Sequence, residues 1–142
     1  MKKSACITSL LLATLFCVSV CLADSDIPNL VGTWTVKCES GVVLKGKEPS
    51  PKTHHTQPFG NLNAEAVITK QQGRIMHGTF KSNRATENFV AAIGYDNKTI
   101  YHADEDGFFE GKLIDKDTIE FVYRHVTPTE SVVAVGVYTR NK

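Results

Sequence analysis

Five histidines are the residues of this chain with the clearest capacity for chemistry, because imidazole binds metals and carries protons near neutral pH. His54 and His55 are adjacent, so on a strand they would point to opposite faces and could not chelate one ion together. His77, His102 and His125 fall in three separate segments and could meet only through folding. No carboxylate or thiolate stands at the ligand spacing of a structural zinc site. The pattern therefore predicts histidines scattered over the surface and no metal site.

The acidic run 104–107, Asp-Glu-Asp-Gly, has part of the composition of a calcium-binding loop. A full calcium loop needs further oxygen ligands and a distant glutamate, and both are missing here. The run is therefore predicted to be an acidic β-turn.

Nucleophilic catalysis has little support in the sequence. Ser131 lacks the Gly-x-Ser-x-Gly elbow of the hydrolases. Cys38 has no histidine on its own strand and shares a strand face with Trp34 and Val36, which indicates a packed, un-ionised thiol. Two carboxylates that meet only in space, as in glycosidases, stay open. No catalytic residue and no cofactor are predicted.

Short segments of alternating apolar and polar residues position these side chains, and turn residues separate them. No stretch has a useful helical period. Regular hairpins without a long crossover predict an all-β fold, an eight-stranded antiparallel up-and-down β-barrel. The stretch 46–60 is predicted to be a loop, because its prolines cannot donate to a strand ladder. Strand segments are predicted at 31–38, 42–44 (after a turn at 39–41), 64–70, 74–81, 88–94, 99–103, 108–114, 118–125 and 131–140.

The last predicted strand is apolar on both faces, which indicates that both are covered. An oligomer interface on the outer wall, a lid or a bound partner would each account for this pattern. One face carries Val133, Val135 and Val137, and the other carries Val132, Ala134 and Tyr138.

The N-terminal residues 1–23 are predicted to be a signal peptide, with Lys2 and Lys3 before a mostly apolar stretch at 7–20 and small residues at the cleavage position. The apolar stretch is too short and too interrupted for a membrane span of about 20 residues. Residues 24–142 then form one domain of an exported protein, periplasmic or secreted. The alternative is a lipidated N-terminus at Cys21, which would attach the protein to a membrane.

The composition gives no support for a nucleic-acid partner or for an internal disulfide framework. Removing residues 1–23 leaves 14 of the 16 basic residues against 15 acidic ones, so the charge gives no reason to expect nucleic acid. Three of the four cysteines lie in the same segment, and the remaining Cys38 cannot form an internal disulfide. Burial of Cys38 is the favoured outcome, with pairing between chains as the alternative.

Four motifs, in order along residues 30–140, carry a resemblance to a known group of barrels. They are Gly-Thr-Trp at 32–34, Gly-Arg-Ile-Met-His-Gly-Thr-Phe at 73–80, Phe-Glu-Gly at 109–111 and Val-Gly-Val-Tyr-Thr-Arg at 135–140. Together they resemble the calycins, the lipocalins and avidins, and the avidins most.

The resemblance implies how the barrel closes. The tryptophan of the first strand plugs one end in such barrels, and an arginine from the end of the chain lies across its face, with a cation–π attraction of roughly 0.5–2 kcal/mol. Trp34 and Arg140 are the matching pair. Avidins hold biotin with several tryptophans, whereas this chain has one, so tight biotin binding is not expected.

The leading functional prediction is non-catalytic binding of a small, partly apolar molecule in the barrel mouth, since an eight-stranded barrel can hold one ligand. Phe59, His77, Tyr101 and Tyr123 are the predicted lining, and the loop 46–60 is the predicted lid. The alternative is a protein-interaction or inhibitor module with a filled barrel, which self-associates through the outer face of its last strand. A hydrolase would require polar side chains that converge in the mouth with strongly shifted pKa values.

Overall fold

Residues 27–46 and 53–142 are described by the computed structural model of this chain. Within them, eight antiparallel strands pair in sequence order, and the eighth closes on the first to complete a barrel. This confirms the predicted all-β, eight-stranded, up-and-down fold. The strands are β1 (Gly32–Leu44), β2 (Phe59–Gln72), β3 (Ile75–Lys81), β4 (Thr86–Ile93), β5 (Thr99–Ala103), β6 (Gly107–Asp115), β7 (Thr118–Val126) and β8 (Glu130–Arg140).

The predicted signal peptide and the lipidation alternative at Cys21 lie outside the described residues, as does the centre of the loop between β1 and β2. In the described ranges, no helix is long and apolar enough to cross a membrane.

The turn predicted at 39–41 is wrong, because β1 runs through it without a break. Ser40 pairs with Gly60 of β2 on one side and with Ala134 of β8 on the other. A strand with ladders on both sides satisfies its backbone groups, and this outweighs the local turn preference of Glu-Ser-Gly. Two predicted segments therefore merge into one strand, and β2 begins earlier than predicted, at Phe59.

One end of the barrel is closed by Trp34, which is fully buried. The Arg140 guanidinium lies over the indole at 4.3 Å from the ring centre. The same guanidinium donates hydrogen bonds to three carbonyl oxygens, those of Asn29 (3.0 Å), Val31 (2.8 Å) and Lys116 (3.2 Å). Arg140 therefore joins the segment before β1, the β6–β7 turn and the end of β8.

The interior above this floor is filled by side chains. Phe109, Phe121 and Tyr138 are in mutual ring contact, with centroids 5.1–5.6 Å apart. The cavity above these rings has a volume of about 20 Å³. Because a water molecule needs a cavity of roughly 10–15 Å³, this space holds about one water and no organic ligand.

We expect Arg140→Lys to lower the free energy of unfolding by roughly 2 kcal/mol, since lysine keeps the charge but cannot donate to three separated carbonyls. Urea denaturation followed by tryptophan fluorescence measures the change, because Trp34 is the single tryptophan of the chain. Arg124→Lys, at an exposed position of β7, is the matched control. Equal losses in the two variants would contradict a special role for Arg140.

Candidate functional site

Polar and charged side chains gather at the end of the barrel opposite Trp34. Four of them occupy the inward positions nearest this end of their strands: Glu87 of β4, His102 of β5, His125 of β7 and Glu130 of β8. The β1–β2 loop, the β5–β6 turn and a further residue of β7, Tyr123, supply the rest. We call this group the mouth cluster: His54, His55, Glu87, His102, Asp104, Asp106, Tyr123, His125 and Glu130.

The part of the β1–β2 loop that begins at residue 53 lies at the mouth, and its His54 and His55 belong to the cluster. Thr53 and His55 are buried, although they belong to a loop. The Thr53 carbonyl accepts a hydrogen bond from Arg84 Nε at 3.2 Å, and His54 Nδ1 lies 2.8 Å from Ser82 Oγ. The β3–β4 turn, which carries Ser82 and Arg84, therefore anchors the loop above the cluster.

His54 also approaches Glu87 from above. Its Nε2 lies 3.2 Å from Glu87 Oε2, and both side chains are more than nine-tenths buried. Neither Glu87 oxygen has a well-formed hydrogen bond among the described residues. A carboxylate at such a depth requires a nearby positive charge or a proton.

Tyr123 connects His125 to Asp106. Its hydroxyl donates to Asp106 Oδ1 at 3.0 Å and lies 3.1 Å from His125 Nδ1. Burial, together with the charges of Asp104 and Asp106, raises the pKa of Tyr123, so the phenol keeps its proton. Because that single proton goes to Asp106, Nδ1 of His125 must be the donor to the phenol oxygen.

This assignment leaves His125 Nε2 without a proton in the neutral ring. Nε2 lies 3.7 Å from Glu130 Oε1 and has no hydrogen-bond partner in the described part of the chain. Gly107 makes the arrangement possible, because a Cβ at that position would overlap the hydroxyl group of Tyr123.

His102 lies deeper, between two aromatic rings. Its ring centre is 4.5 Å from that of Phe89 and 4.3 Å from that of Phe109, and it stacks on the latter. Burial lowers the pKa of His102 to about 3, so the ring is neutral. Its closest charged group is Asp104, with Oδ2 at 4.0 Å from Nδ1.

Burial and neighbouring charges lower the pKa of some other cluster members and raise the pKa of another. Burial, followed by the charges of His54 and His125, lowers the pKa of His55 to about 4. Burial raises the pKa of Asp104, whereas the contact with His125 is the main cause of a lowered pKa at Asp106.

Two groups of side chains in the cluster bring potential metal-ligand atoms within 4.8 Å of one another. One consists of Asp106, His125 and Glu130; the other consists of Glu87, Asp104 and Asp106. Asp106 belongs to both groups. The arrangement can therefore hold protons or a small cation, and Asp106 is its central carboxylate.

Of the four residues predicted to line the barrel mouth, three have side chains on the outer face of the barrel and one has its side chain on the inner face. The side chains of Phe59 (91% exposed), Tyr101 (52% exposed) and His77 face outward from the barrel wall rather than into the lumen. Only Tyr123 points inward and takes part in the cluster. The assignment of three residues to the lining is wrong because it required the inward face of each strand, which only the closed register defines.

The prediction of histidines scattered over the surface is also wrong, except for the exposed His77. His54 and His55 lie in a loop, so the argument that adjacent strand residues face opposite ways does not apply to them. His102 and His125 converge because β5 and β7 both end at the mouth.

Two cluster residues that were not predicted from the sequence, Glu87 and Glu130, can be recognised by their position on a strand face. Glu87 shares the face of Phe89, Ala91 and Ile93, and Glu130 shares the face of Val132 and Ala134. A charged residue at the end of an otherwise apolar strand face is unusual, because that face is the one that folding buries.

Comparison with known proteins identifies a fold but no family. No protein-family model matches the chain, and no curated protein matches it. Among solved structures, it is similar to a redesigned β-barrel, with a TM-score of 0.51 and 9% identity, over 80% of this chain and 92% of that one. So low an identity shows the fold alone and adds no support to the resemblance to avidins and other calycins.

We expect the stability of the protein to fall as the pH is lowered from about 6.5 towards 4. The pKa of His102 is about 3 in the folded chain and near 6.5 in the unfolded chain, so the unfolded chain binds the extra proton in this window. His55 acts in the same direction, whereas the raised pKa of Asp104 acts in the opposite one. Each histidine contributes a slope of roughly 1 kcal/mol per pH unit.

His102→Phe tests this origin of the pH dependence. Phenylalanine keeps the stack between Phe89 and Phe109 and cannot be protonated, so the slope measured by urea denaturation at several pH values should flatten. At pH 7.5 the variant should be at least as stable as the wild type. His77→Phe, on the outer wall, should leave the slope unchanged; an unaltered slope in His102→Phe would contradict the assignment.

Proposed function

We propose that this protein is an exported, non-catalytic binding protein that holds a small polar ligand in the mouth cluster, beneath the β1–β2 loop. One observation carries the proposal. Buried polar atoms of His55, Glu87, Asp106 and His125 lack hydrogen-bond partners among the described residues, and all four belong to the mouth cluster. Buried polar atoms are rarely left without partners unless something else meets them.

A polar ligand has more support than the partly apolar one that the sequence predicted. The apolar part of the interior is occupied by Phe109, Phe121 and Tyr138, which leave only about 20 Å³. The ionisable groups beside the remaining space include three imidazoles, the Asp104 carboxyl and the Tyr123 phenol. A ligand small enough for this space gains hydrogen bonds or charge pairing there, but little apolar contact.

Binding is favoured over catalysis although polar side chains converge in the mouth, the feature that a hydrolase would require. A general base works best with a pKa near the operating pH, and the pKa values of His55 and His102 are lowered to about 4 and about 3. The Cys38 thiol is a poor nucleophile because burial raises its pKa to about 11.

Export is supported by the N-terminal sequence, in which two lysines precede an apolar stretch and small residues follow. A single mature cysteine that is buried is compatible with an oxidising compartment, since burial keeps it from pairing between chains.

Native mass spectrometry of the full chain, expressed with its leader and purified from the periplasm, tests the proposal. We expect a mass that begins at Asp24 and carries a bound species. Asp106→Asn should lose that species, because Asp106 belongs to both groups of potential ligand atoms, whereas Asp115→Asn, at an exposed position of β6, should retain it. A bare chain in the wild type would contradict ligand binding.

A second candidate function is self-association through the outer wall of β8, and a valine strip favours it. Val133 and Val135 are about half exposed, and Val135 pairs with Val122 of β7. Charges of both signs border this strip: Lys37 and Glu39 on β1, and Glu120 and Arg124 on β7. A surface with both signs around an apolar centre is complementary to a second copy of itself.

Val135→Lys should shift a dimer towards monomer in sedimentation velocity, because it places a charge at the centre of the strip. Val90→Lys, on the outer wall of β4 at the opposite side of the barrel, should leave the distribution unchanged. A wild-type protein that stays monomeric at all concentrations would overturn this candidate.

A further inference from the structure

We propose that the mouth cluster binds one divalent transition-metal ion through Asp106, His125 and Glu130. This inference rests on the proposed function and names the ligand of the same site. Two of these residues lie on neighbouring strands, His125 on β7 and Glu130 on β8, and Asp106 comes from the β5–β6 turn. The fold thus brings three separate segments to one point.

The separation of the His125 and Glu130 ligand atoms is close to that of two ligands of one metal ion, and Asp106 lies near both. The potential ligand atoms of the three side chains lie within 4.8 Å of one another, and His125 Nε2 is 3.7 Å from Glu130 Oε1. Two ligands of one tetrahedral zinc ion lie roughly 3.3 Å apart when each bond is about 2.0–2.1 Å long. Side-chain movements of a few tenths of an ångström would bring this pair to that separation.

The hydrogen bonds around His125 prepare it as a ligand. Its Nδ1 donates to the Tyr123 hydroxyl, so Nε2 carries the lone pair and faces Glu130. Metal-binding histidines almost always hold their second nitrogen in such a bond, which fixes both the tautomer and the ring orientation. Tyr123 then donates to Asp106 Oδ1, leaving Oδ2 without a hydrogen-bond partner in the described ranges.

His55 is the nearest further candidate ligand. It lies above Tyr123, with ring centres 6.0 Å apart, and close enough to His125 and Asp106 for their charges to act on it. Its Nδ1 is buried and has no hydrogen-bond partner among the described residues. A fourth bond from the loop would couple metal binding to the position of the loop over the mouth.

The ligand types select the class of ion. Imidazole nitrogen with carboxylate oxygens suits Zn²⁺ and neighbouring first-row ions. Ca²⁺ takes six to eight oxygen ligands, more than this group supplies, and Mg²⁺ prefers an octahedral shell of oxygen ligands, whereas one of the three ligands here is an imidazole nitrogen. Cu⁺ prefers sulfur, and none of the three ligand residues provides it.

The other group of carboxylates is less suited to the ion. Glu87 is already paired with His54 at 3.2 Å. One oxygen of Asp104 accepts the backbone N–H of Gly107 at 2.6 Å and stabilises the β5–β6 turn. These engagements favour Asp106, His125 and Glu130 as the site, with Asp106 placed between the two groups.

Titration calorimetry of the chelator-treated mature protein with Zn²⁺ tests the inference. We expect one ion per chain and a loss of affinity of tenfold or more in both Asp106→Asn and His125→Gln, while His77→Gln on the outer wall should bind as the wild type does. A hundredfold excess of Ca²⁺ should not displace Zn²⁺. Co²⁺ provides a spectroscopic readout, since its visible absorption should change in His125→Gln but not in His77→Gln.

The possible outcomes separate this inference from the proposed function. Absence of Zn²⁺ and Co²⁺ binding in the folded wild type, or equal binding in the mouth and outer-wall variants, would overturn the metal site. Circular dichroism establishes that each variant is folded. If the protein then carries another bound species that Asp106→Asn removes, the proposed function stands and only the metal assignment fails.

Discussion

The pairing of β8 with β1 is the constraint on which the rest of the structure depends. It runs from Trp34 opposite Arg140 at one end to Leu44 opposite Glu130 at the other, so it spans the full height of the barrel. Closure leaves no strand edge unpaired and turns one face of every strand inward. The same ladder connects the two chemical ends of the molecule, because its first pair belongs to the floor and its last pair to the mouth.

Closure also divides the interior into two environments. Near the floor, inward positions carry Trp34, Met76 and Ile119, and the packing of these side chains supplies the apolar burial that stabilises the fold. Near the mouth, the inward positions carry Glu87, His102 and Glu130, whose burial opposes stability unless a partner compensates it. The loop residues Thr53 and His55 then cover the mouth, which removes it from water and increases that cost.

The lowered histidine pKa values in the mouth cluster are the reason why we favour binding over catalysis. Burial moves the pKa of His102 to about 3 and holds the imidazole neutral. A neutral imidazole is a metal ligand or a hydrogen-bonding group, but at such a pKa it is a weak base. Tyr123 orients its neighbours, because its hydroxyl group is hydrogen-bonded to both His125 and Asp106 while it keeps its own proton.

The fold class could be predicted from the residues alone, because alternation with a period of two indicates strands, and regular hairpins without a long crossover favour an up-and-down barrel. The sequence also contained the elements of the closed end, since Trp34 and Arg140 stand at the first and last strands. It gave the wrong answer at 39–41, where the local turn preference was stronger than any signal of the ladders on either side. It identified Tyr123 among the lining but missed Glu87, Asp106, His125 and Glu130. The candidate site could not be predicted in this way, because closure and register define which strand face points inward and which strand ends meet. Those are properties of pairs of strands that lie as much as 106 residues apart in the sequence.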